Sequence, residues 1–167
     1  MSIPIPPHTL NGKWNLYYHL PNDKSWSLES YKLIMENIQT AESLVALNET
    51  MTENVVKHCM LFVMRAGITP MWEDKQNRNG GAFSFKVINK HVYQVWKTLF
   101  YLLCGETLSS DPKYNSLING ITISPKNNFC IIKIWMSTCE LQDSNIITNI
   151  NNLSKQGCLF KSHCPEF

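Results

Sequence analysis

Residues 117–136 read LINGITISPKNNFCIIKIWM, and they contain the clearest folding signal of the sequence. Apolar and polar side chains alternate over residues 117–124 and again over residues 129–136, as they do in strands with one buried face. The four residues between these segments, 125–128, include the proline and asparagines of a hairpin loop. The stretch therefore predicts two neighbouring antiparallel strands.

Further segments with the same period of two occur on the N-terminal side of this hairpin. They cover residues 13–19, 30–35, 59–64 and 82–88. Asn79-Gly80-Gly81 precedes the last of them, and these residue types tolerate the positive φ angles of a turn. The pattern predicts strands that mostly neighbour one another.

Three segments have a helical pattern instead. The first covers residues 41–48 behind Thr40 as an N-cap, and the second carries apolar residues at helical spacing from Val92 to Leu103 before Gly105. The third begins near Asp143 and places four apolar residues on one face, namely Ile146, Ile147, Ile150 and Leu153. Together the elements predict an α+β fold, a mainly antiparallel sheet with about three helices on one face.

Length and composition fit one folded domain. The chain has 167 residues, of which 44% are hydrophobic and 17% charged, and these values exclude disordered, collagen-like and coiled-coil chains. We divide it into an extended N-terminal arm, residues 1–12, and a single domain, residues 13–167. No apolar run is long enough to span a bilayer and the N-terminus has no targeting signal, so we expect no membrane contact and a cytoplasmic protein, with a nuclear pool also compatible.

The sequence contains no motif for enzymatic chemistry. It has no glycine-rich phosphate loop, no nucleophile elbow and no paired-histidine zinc motif, so we predict no catalytic residue and no cofactor. None of the six cysteines lies in a Cys-x-x-Cys pair, and we expect free thiols. A metal site from Cys158, His163 and Cys164 is the alternative, but it lacks a fourth ligand at a recognisable spacing, and we predict no metal.

Tryptophan is the unusual component of this chain. There are five, and the pattern places Trp14 and Trp96 in the core but Trp26 and Trp72 in loops. An exposed indole can stack on a purine, and a neighbouring carboxylate such as Glu73 can accept the two hydrogens on the N1/N2 edge of guanine. The alternative is that both loop tryptophans are buried anchors. The net charge of +2 argues against a protein that coats duplex nucleic acid.

Several short motifs accompany these tryptophans over almost the whole chain. They are His8-Thr9-Leu10, Lys13-Trp14-Asn15-Leu16, Asn22-Asp23-Lys24-Ser25-Trp26, Gly67-Ile68-Thr69-Pro70-Met71-Trp72-Glu73-Asp74, Gly80-Gly81, Gly105-Glu106, Ile132-Lys133-Ile134-Trp135 and Ser162-His163. In order and spacing they resemble the eukaryotic translation initiation factor 4E family of mRNA cap-binding proteins. The resemblance implies a curved sheet with the 7-methylguanosine cap in its concave face and helices on its convex face.

The resemblance also implies roles for individual residues. Trp26 and Trp72 would sandwich the methylated base, Glu73 would hold its N1/N2 edge, and Trp135 would pack on the N7 methyl group. Lys126 matches a basic position that contacts the cap phosphates. Lys133 does not match one, but a period of two places it on the same face as Trp135, so we nominate it as a second phosphate contact. A further basic family position is Ala82 here.

A second family surface, on the convex side, departs more from the pattern. The family binds a helical peptide there, from the scaffold factor 4G or from repressors. The matching positions are His8, Val45, Lys97, Thr98, Leu102 and Gly105. Because Val45 replaces a tryptophan, and Lys97 and Thr98 replace a hydrophobic-acidic pair, we expect an altered scaffold-binding surface.

The sequence leaves the cellular outcome open. A monomer that binds capped mRNA could initiate translation through a scaffold of the 4G type, or it could sequester capped messages as a repressor or decoy. A general binder of single-stranded RNA or nucleotides, without selectivity for the methyl group, is a further alternative.

Overall fold

A computed structural model describes residues 2–167. Seven strands form one sheet in which neighbouring strands are antiparallel, in the order β2-β1-β3-β5-β6-β4-β7. The strands are β1 (Thr9–His19), β2 (Tyr31–Thr40), β3 (Met60–Arg65), β4 (Gly81–Ile88), β5 (Ile118–Pro125), β6 (Phe129–Met136) and β7 (Leu159–Ser162). The sheet is curved, and the predicted α+β class is confirmed.

Within residues 2–167, four helices join these strands. They are α1 (Ala41–Thr50), α2 (Glu53–His58), α3 (Asn89–Cys104) and α4 (Pro112–Asn115). Thr40 caps α1 by accepting the backbone N–H of Ser43 at 3.2 Å, and Thr52 caps α2 in the same way. No helix within residues 2–167 combines the length and hydropathy needed to cross a membrane.

The main core lies between the sheet and the helices. Every second residue of the central strands packs there, as shown by Leu61, Ile121, Ile132 and Ile134, all fully buried, and Trp96 of α3 packs against them. The residues between them point to the opposite side, which we call the open face. Trp14 and Trp96 are both 0% exposed, which confirms their prediction as core residues.

The structure corrects the third predicted helix. From Asp143 onward only Ser144–Ile146 forms a single 3-10 turn, and Ile147 instead makes an isolated β-bridge with Ser109. Ile147 and Leu153 are buried, so the apolar residues reach the core from an extended loop. Asn and Thr, which are weak helix formers, fill much of this segment.

Gly80 and Gly81, at the start of β4, do not use the positive φ angles that glycine tolerates. Neither Gly80 nor Gly81 has a positive φ. A side chain at Gly80 would overlap the Met136 carbonyl oxygen, and one at Gly81 would lie 2.6 Å from the Lys161 carbonyl oxygen. These glycines therefore permit close approach of the neighbouring strands rather than a left-handed turn.

Candidate ligand-binding site

A cavity of about 470 Å³ opens on the open face of the sheet. All six residues nominated from the sequence line it: Trp26, Trp72, Glu73, Lys126, Lys133 and Trp135. Its remaining walls include Tyr31, Met60, Phe62, Thr122 and Ser124. The structure thus brings together side chains from two loops, one hairpin and four strands.

Trp26 is presented by the loop that follows β1. Its side chain is 51% exposed, and its indole is stacked on the imidazole of His19, with the ring centroids 4.1 Å apart and an angle of 10° between the planes. The two ring nitrogens of His19 lie 2.9 Å from the Leu20 carbonyl oxygen and 2.8 Å from that of Ser25. His19 therefore connects both ends of the loop that carries Trp26 and covers one face of the indole.

Trp72 lies in the longer loop between β3 and β4, and buried polar residues hold this loop in shape. The Asp74 carboxylate accepts the backbone N–H of Thr69 at 2.8 Å and its hydroxyl at 2.9 Å. The Asn77 side chain, fully buried, donates to the carbonyl oxygens of Thr69 and Met71. The loop leaves Trp72 37% exposed, so part of its indole is open to the cavity.

Glu73 is half-buried beside Trp72. Its Oε1 accepts the backbone N–H of Glu166 at 3.2 Å, so the C-terminal residues of the chain lie against the cavity. Burial, followed by the charge of Glu73, raises the pKa of Tyr31 to about 12. The Glu73 carboxylate therefore lies close to a neutral phenol, and Glu166 lines the same cavity.

Trp135 forms part of the floor of the cavity. It is 4% exposed, and its Nε1–H donates to the Thr122 hydroxyl at 3.2 Å. Lys133 precedes it by two residues on β6 and lies across from Thr122 in the strand register. Burial lowers the pKa of Lys133, and the charges of Lys161 and Lys126 lower it further. Lys126 itself is exposed in the β5–β6 hairpin.

Sequence reasoning missed the aromatic wall of the cavity and the histidines behind the tryptophans. Met60 and Phe62 alternate on β3 with core residues, so their period of two was a usable signal for this face. His19 gave no signal, because its ring nitrogens meet backbone carbonyl oxygens. His163 entered only as part of a resemblance motif and of the metal alternative, and its stacking near Trp72, with the ring centroids 5.8 Å apart, was not predicted.

The six residues nominated as a partner surface lie away from this cavity. Val45 on α1 is 48% exposed, and Thr98 of α3 is exposed as well. The Lys97 ammonium lies 2.9 Å from the Glu49 carboxylate. His8 donates its backbone N–H to Glu42, Leu102 is half-buried, and Gly105 is the exposed C-cap of α3.

Together the six residues nominated for the site line one cavity with aromatic, acidic and basic side chains. Two part-exposed indoles, Trp26 and Trp72, offer stacking faces. The Glu73 carboxylate accepts hydrogen bonds, and Lys126 and Lys133 supply positive charge. Within residues 2–167 no group of three or more His, Cys, Asp or Glu side chains could hold a metal ion.

The sequence comparisons identify the family. The family model for eukaryotic initiation factor 4E matches residues 9–163, and the chain belongs to this family. A eukaryotic translation initiation factor 4E homolog of Acanthamoeba polyphaga mimivirus is 47% identical over 144 residues, which cover 74% of this chain and 53% of that protein. The Saccharomyces cerevisiae factor is 29% identical over 154 residues, covering 89% of this chain and 70% of that protein. The chain therefore spans about half the length of the mimivirus relative.

Solved structures show the same fold. A Caenorhabditis elegans eIF4E-3 in complex with the 4E-binding protein Mextli and a cap analog aligns with a TM-score of 0.71 at 20% identity, covering 80% of this chain and 76% of that one. A schistosome eIF4E complexed with m7GpppA and 4E-BP also gives a TM-score of 0.71, at 22% identity, covering 80% and 74%. Proteins of this family bind ligands and are not enzymes.

Proposed function

We propose that this chain binds the 7-methylguanosine 5' cap of mRNA, with the methylated base stacked between Trp26 and Trp72. The observation that carries the proposal is that both part-exposed indoles line one cavity together with Glu73. The solved relatives in complex with a cap analog and with m7GpppA support the same ligand.

The charge of the ligand fits this site. Methylation at N7 leaves a delocalised positive charge on the guanine, and an indole face attracts a cation beyond ordinary stacking, by about 2 kcal/mol when the contact is desolvated. Because Trp26 already rests on His19, only its other face is available to the base. Trp135, on the cavity floor, packs on the N7 methyl group in this proposal.

Glu73 supplies the selectivity for guanine. Its carboxylate accepts N1–H and the N2 amino group, an arrangement that adenine cannot satisfy, and the backbone N–H of Trp72 donates to O6. Such a bidentate base contact contributes about 1–3 kcal/mol of discrimination. Lys126 and Lys133 contact the phosphates, and both line the cavity as this role requires.

The proposed setting is translation initiation or its control, in the cytoplasm. The partners are capped mRNA and a scaffold of the 4G type or a repressor peptide, because the solved relatives include complexes with 4E-binding proteins. The peptide would bind by a modified mode, since Lys97 is already paired with Glu49 and Val45 offers no indole hydrogen-bond donor. The chain requires no cofactor for this role.

Retention on immobilised 7-methyl-GTP tests the proposal. We expect the purified protein to bind the resin, to elute with free 7-methyl-GTP and to resist elution by GTP at the same concentration. Elution by GTP and 7-methyl-GTP alike would support a general nucleotide binder instead. Failure to bind the resin at all would reject the proposal.

A further inference from the structure

A second cavity, of about 270 Å³, adjoins the proposed base site. It shares Trp72 and Lys133 with the first cavity and extends past them to Ala82, Ser84, Lys161 and His163. A ligand that leaves the first cavity along Lys133 would therefore enter the second.

Small residues on β4 open this cavity between two lysines. Ala82 pairs with Lys161 of β7 on one side and with Trp135 of β6 on the other. Ser84, two residues along the same face, pairs with Lys133 of β6. The side chains of Lys161 and Lys133 thus flank a part of the sheet where the central strand carries only a methyl and a hydroxymethyl group.

The positive charge of this cavity has no internal counterion. In the part of the chain that the structure describes, no carboxylate lies within 4.0 Å of the ammonium group of Lys133 or Lys161. The pKa of Lys133 is lowered by burial first and then by Lys161. An anion bound between the two lysines would relieve this repulsion.

His163 points independently to a ligand site at this cavity. It is 8% exposed, and its Nδ1 lies 2.7 Å from the Asn77 carbonyl oxygen, which can only accept, so Nδ1 carries the proton. Its Nε2 is buried, and no group in residues 2–167 forms a hydrogen bond with it. A buried ring nitrogen without a partner at the wall of a cavity suits a ligand that can form a hydrogen bond there.

We propose that the second cavity is an anion subsite that takes the phosphate groups of the capped RNA farther from the base, bound by Lys161 and Lys133 and by His163 Nε2 after proton uptake. This inference rests on the proposed cap-binding function. It moves part of the phosphate contact onto β7 and assigns binding roles to Lys161 and His163. The small side chain of Ala82 leaves room for the subsite, which a longer side chain at this position would fill.

Ligands with different numbers of phosphate groups test the subsite independently of the base site. Calorimetric titrations would compare 7-methyl-GMP, 7-methyl-GTP and inorganic tripolyphosphate on the wild type, Lys161→Ala and Lys90→Ala. Lys161 is exposed on an edge strand, so its replacement should not disturb folding, and Lys90 on α3 is an exposed lysine of the opposite side.

We expect Lys161→Ala to weaken 7-methyl-GTP and tripolyphosphate by about tenfold and 7-methyl-GMP by less than about twofold, with Lys90→Ala unchanged, because one charge-assisted contact is removed. Equal effects on 7-methyl-GMP and 7-methyl-GTP, or no effect on tripolyphosphate, would overturn the subsite. If tripolyphosphate binding depends on Lys161 but 7-methyl-GMP does not bind, the cap-binding proposal fails together with the assignment to capped RNA, and only an anion site remains.

The number of protons taken up on ligand binding tests the proposed role of His163 in the anion subsite. Titrations at pH 7 in two buffers of different ionisation enthalpy give the number of protons taken up on binding. We expect the wild type to take up more protons with 7-methyl-GTP than with 7-methyl-GMP, and His163→Gln to show no such difference. The same difference in both proteins would overturn the assignment of His163.

Discussion

The indole of Trp26 lies flat on the imidazole of His19, with 4.1 Å between the ring centroids. His19 is fully buried, and its ring nitrogens meet carbonyl oxygens at both ends of the loop between β1 and Trp26. The protein thus provides one half of a stack in advance and leaves the other face of the indole for a ligand. Such preorganisation lowers the entropy that binding would otherwise cost.

Replacing Trp26 with alanine tests the stacking role. We expect Trp26→Ala to weaken 7-methyl-GTP about tenfold or more, since base stacking contributes about 1–3 kcal/mol. Because the side chain is half exposed, the melting temperature should move by only about 2–4 °C. Leu28→Ala is the matched control, as Leu28 is also 51% exposed in the same segment. Equal affinities of the two variants would contradict the role.

The carboxylate of Glu73 should determine which base is bound. We expect Glu73→Gln, which keeps the shape but loses the second acceptor oxygen, to weaken 7-methyl-GTP about tenfold or more, in line with the loss of a bidentate contact. Glu140→Gln changes an exposed carboxylate elsewhere and should bind as the wild type does. An unaltered affinity of Glu73→Gln in fluorescence titration would rule out the predicted guanine contact.

His163 should make the free energy of unfolding depend on pH. Burial lowers its pKa, opposed by the contact with Asn77 and assisted by the charge of Lys133. Below the ordinary histidine pKa of about 6.5 the unfolded state therefore binds more protons than the folded state. Stability should fall as the pH decreases from that value, until the folded histidine is protonated as well.

Urea unfolding of the ligand-free protein at several pH values measures this effect. His163→Gln should reduce the loss of stability on acidification, whereas His58→Gln, at an exposed position, should retain it. A pH dependence that is the same in both variants would show that His163 is not its source.

The helix surface should bind a scaffold-type peptide more tightly after redesign. Val45→Trp with Lys97→Leu and Thr98→Glu restores the residue types that the family resemblance implies there. We expect this triple variant to bind a 4G-type helical peptide at least about tenfold more tightly, because tryptophan and charged residues act as hot spots. Affinity for 7-methyl-GTP, on the other side of the sheet, is the control and should not change. A wild-type chain that binds the peptide equally well would contradict the expectation of an altered surface.

The elements with strong periodic signals were predictable from the sequence. Strand β6 has the predicted bounds, and α3 covers the segment whose apolar residues recur at helical spacing. These segments are long, and one of their faces is fully buried, so the apolar pattern alone specifies them. The nominated site residues meet at one cavity, but their binding roles stay predictions.

The segment after Asp143 shows why the same rule fails elsewhere. Ile146, Ile147, Ile150 and Leu153 have helical spacing, yet Ile147 reaches the core from a bridge with Ser109. The spacing of apolar residues indicates only which side chains are buried. Tertiary contacts can bury such side chains even where the backbone is irregular. β-Branched residues and asparagine disfavour a helix, and their frequency in this segment argued against the helix that the spacing predicted.

The shortest elements were missed for different reasons. α2 has local signals, because Thr52 is its N-cap and Glu53 forms an ion pair with Lys57 four residues later. β7 has almost none, since only four residues pair with β4 and most are exposed. The position of β7 is determined by its pairing with β4, which no local sequence pattern shows. The location of Lys161 beside the second cavity follows from the same pairing.

A comparison of the affinities for methylated and unmethylated cap dinucleotides tests the central claim most directly. Titrations of tryptophan fluorescence would compare the 7-methylated cap dinucleotide m7GpppG with GpppG on the wild-type chain. The account predicts that the methylated form binds about 30-fold more tightly, which corresponds to about 2 kcal/mol of cation–π attraction. Equal affinities would contradict a site in which two indoles hold a cationic base.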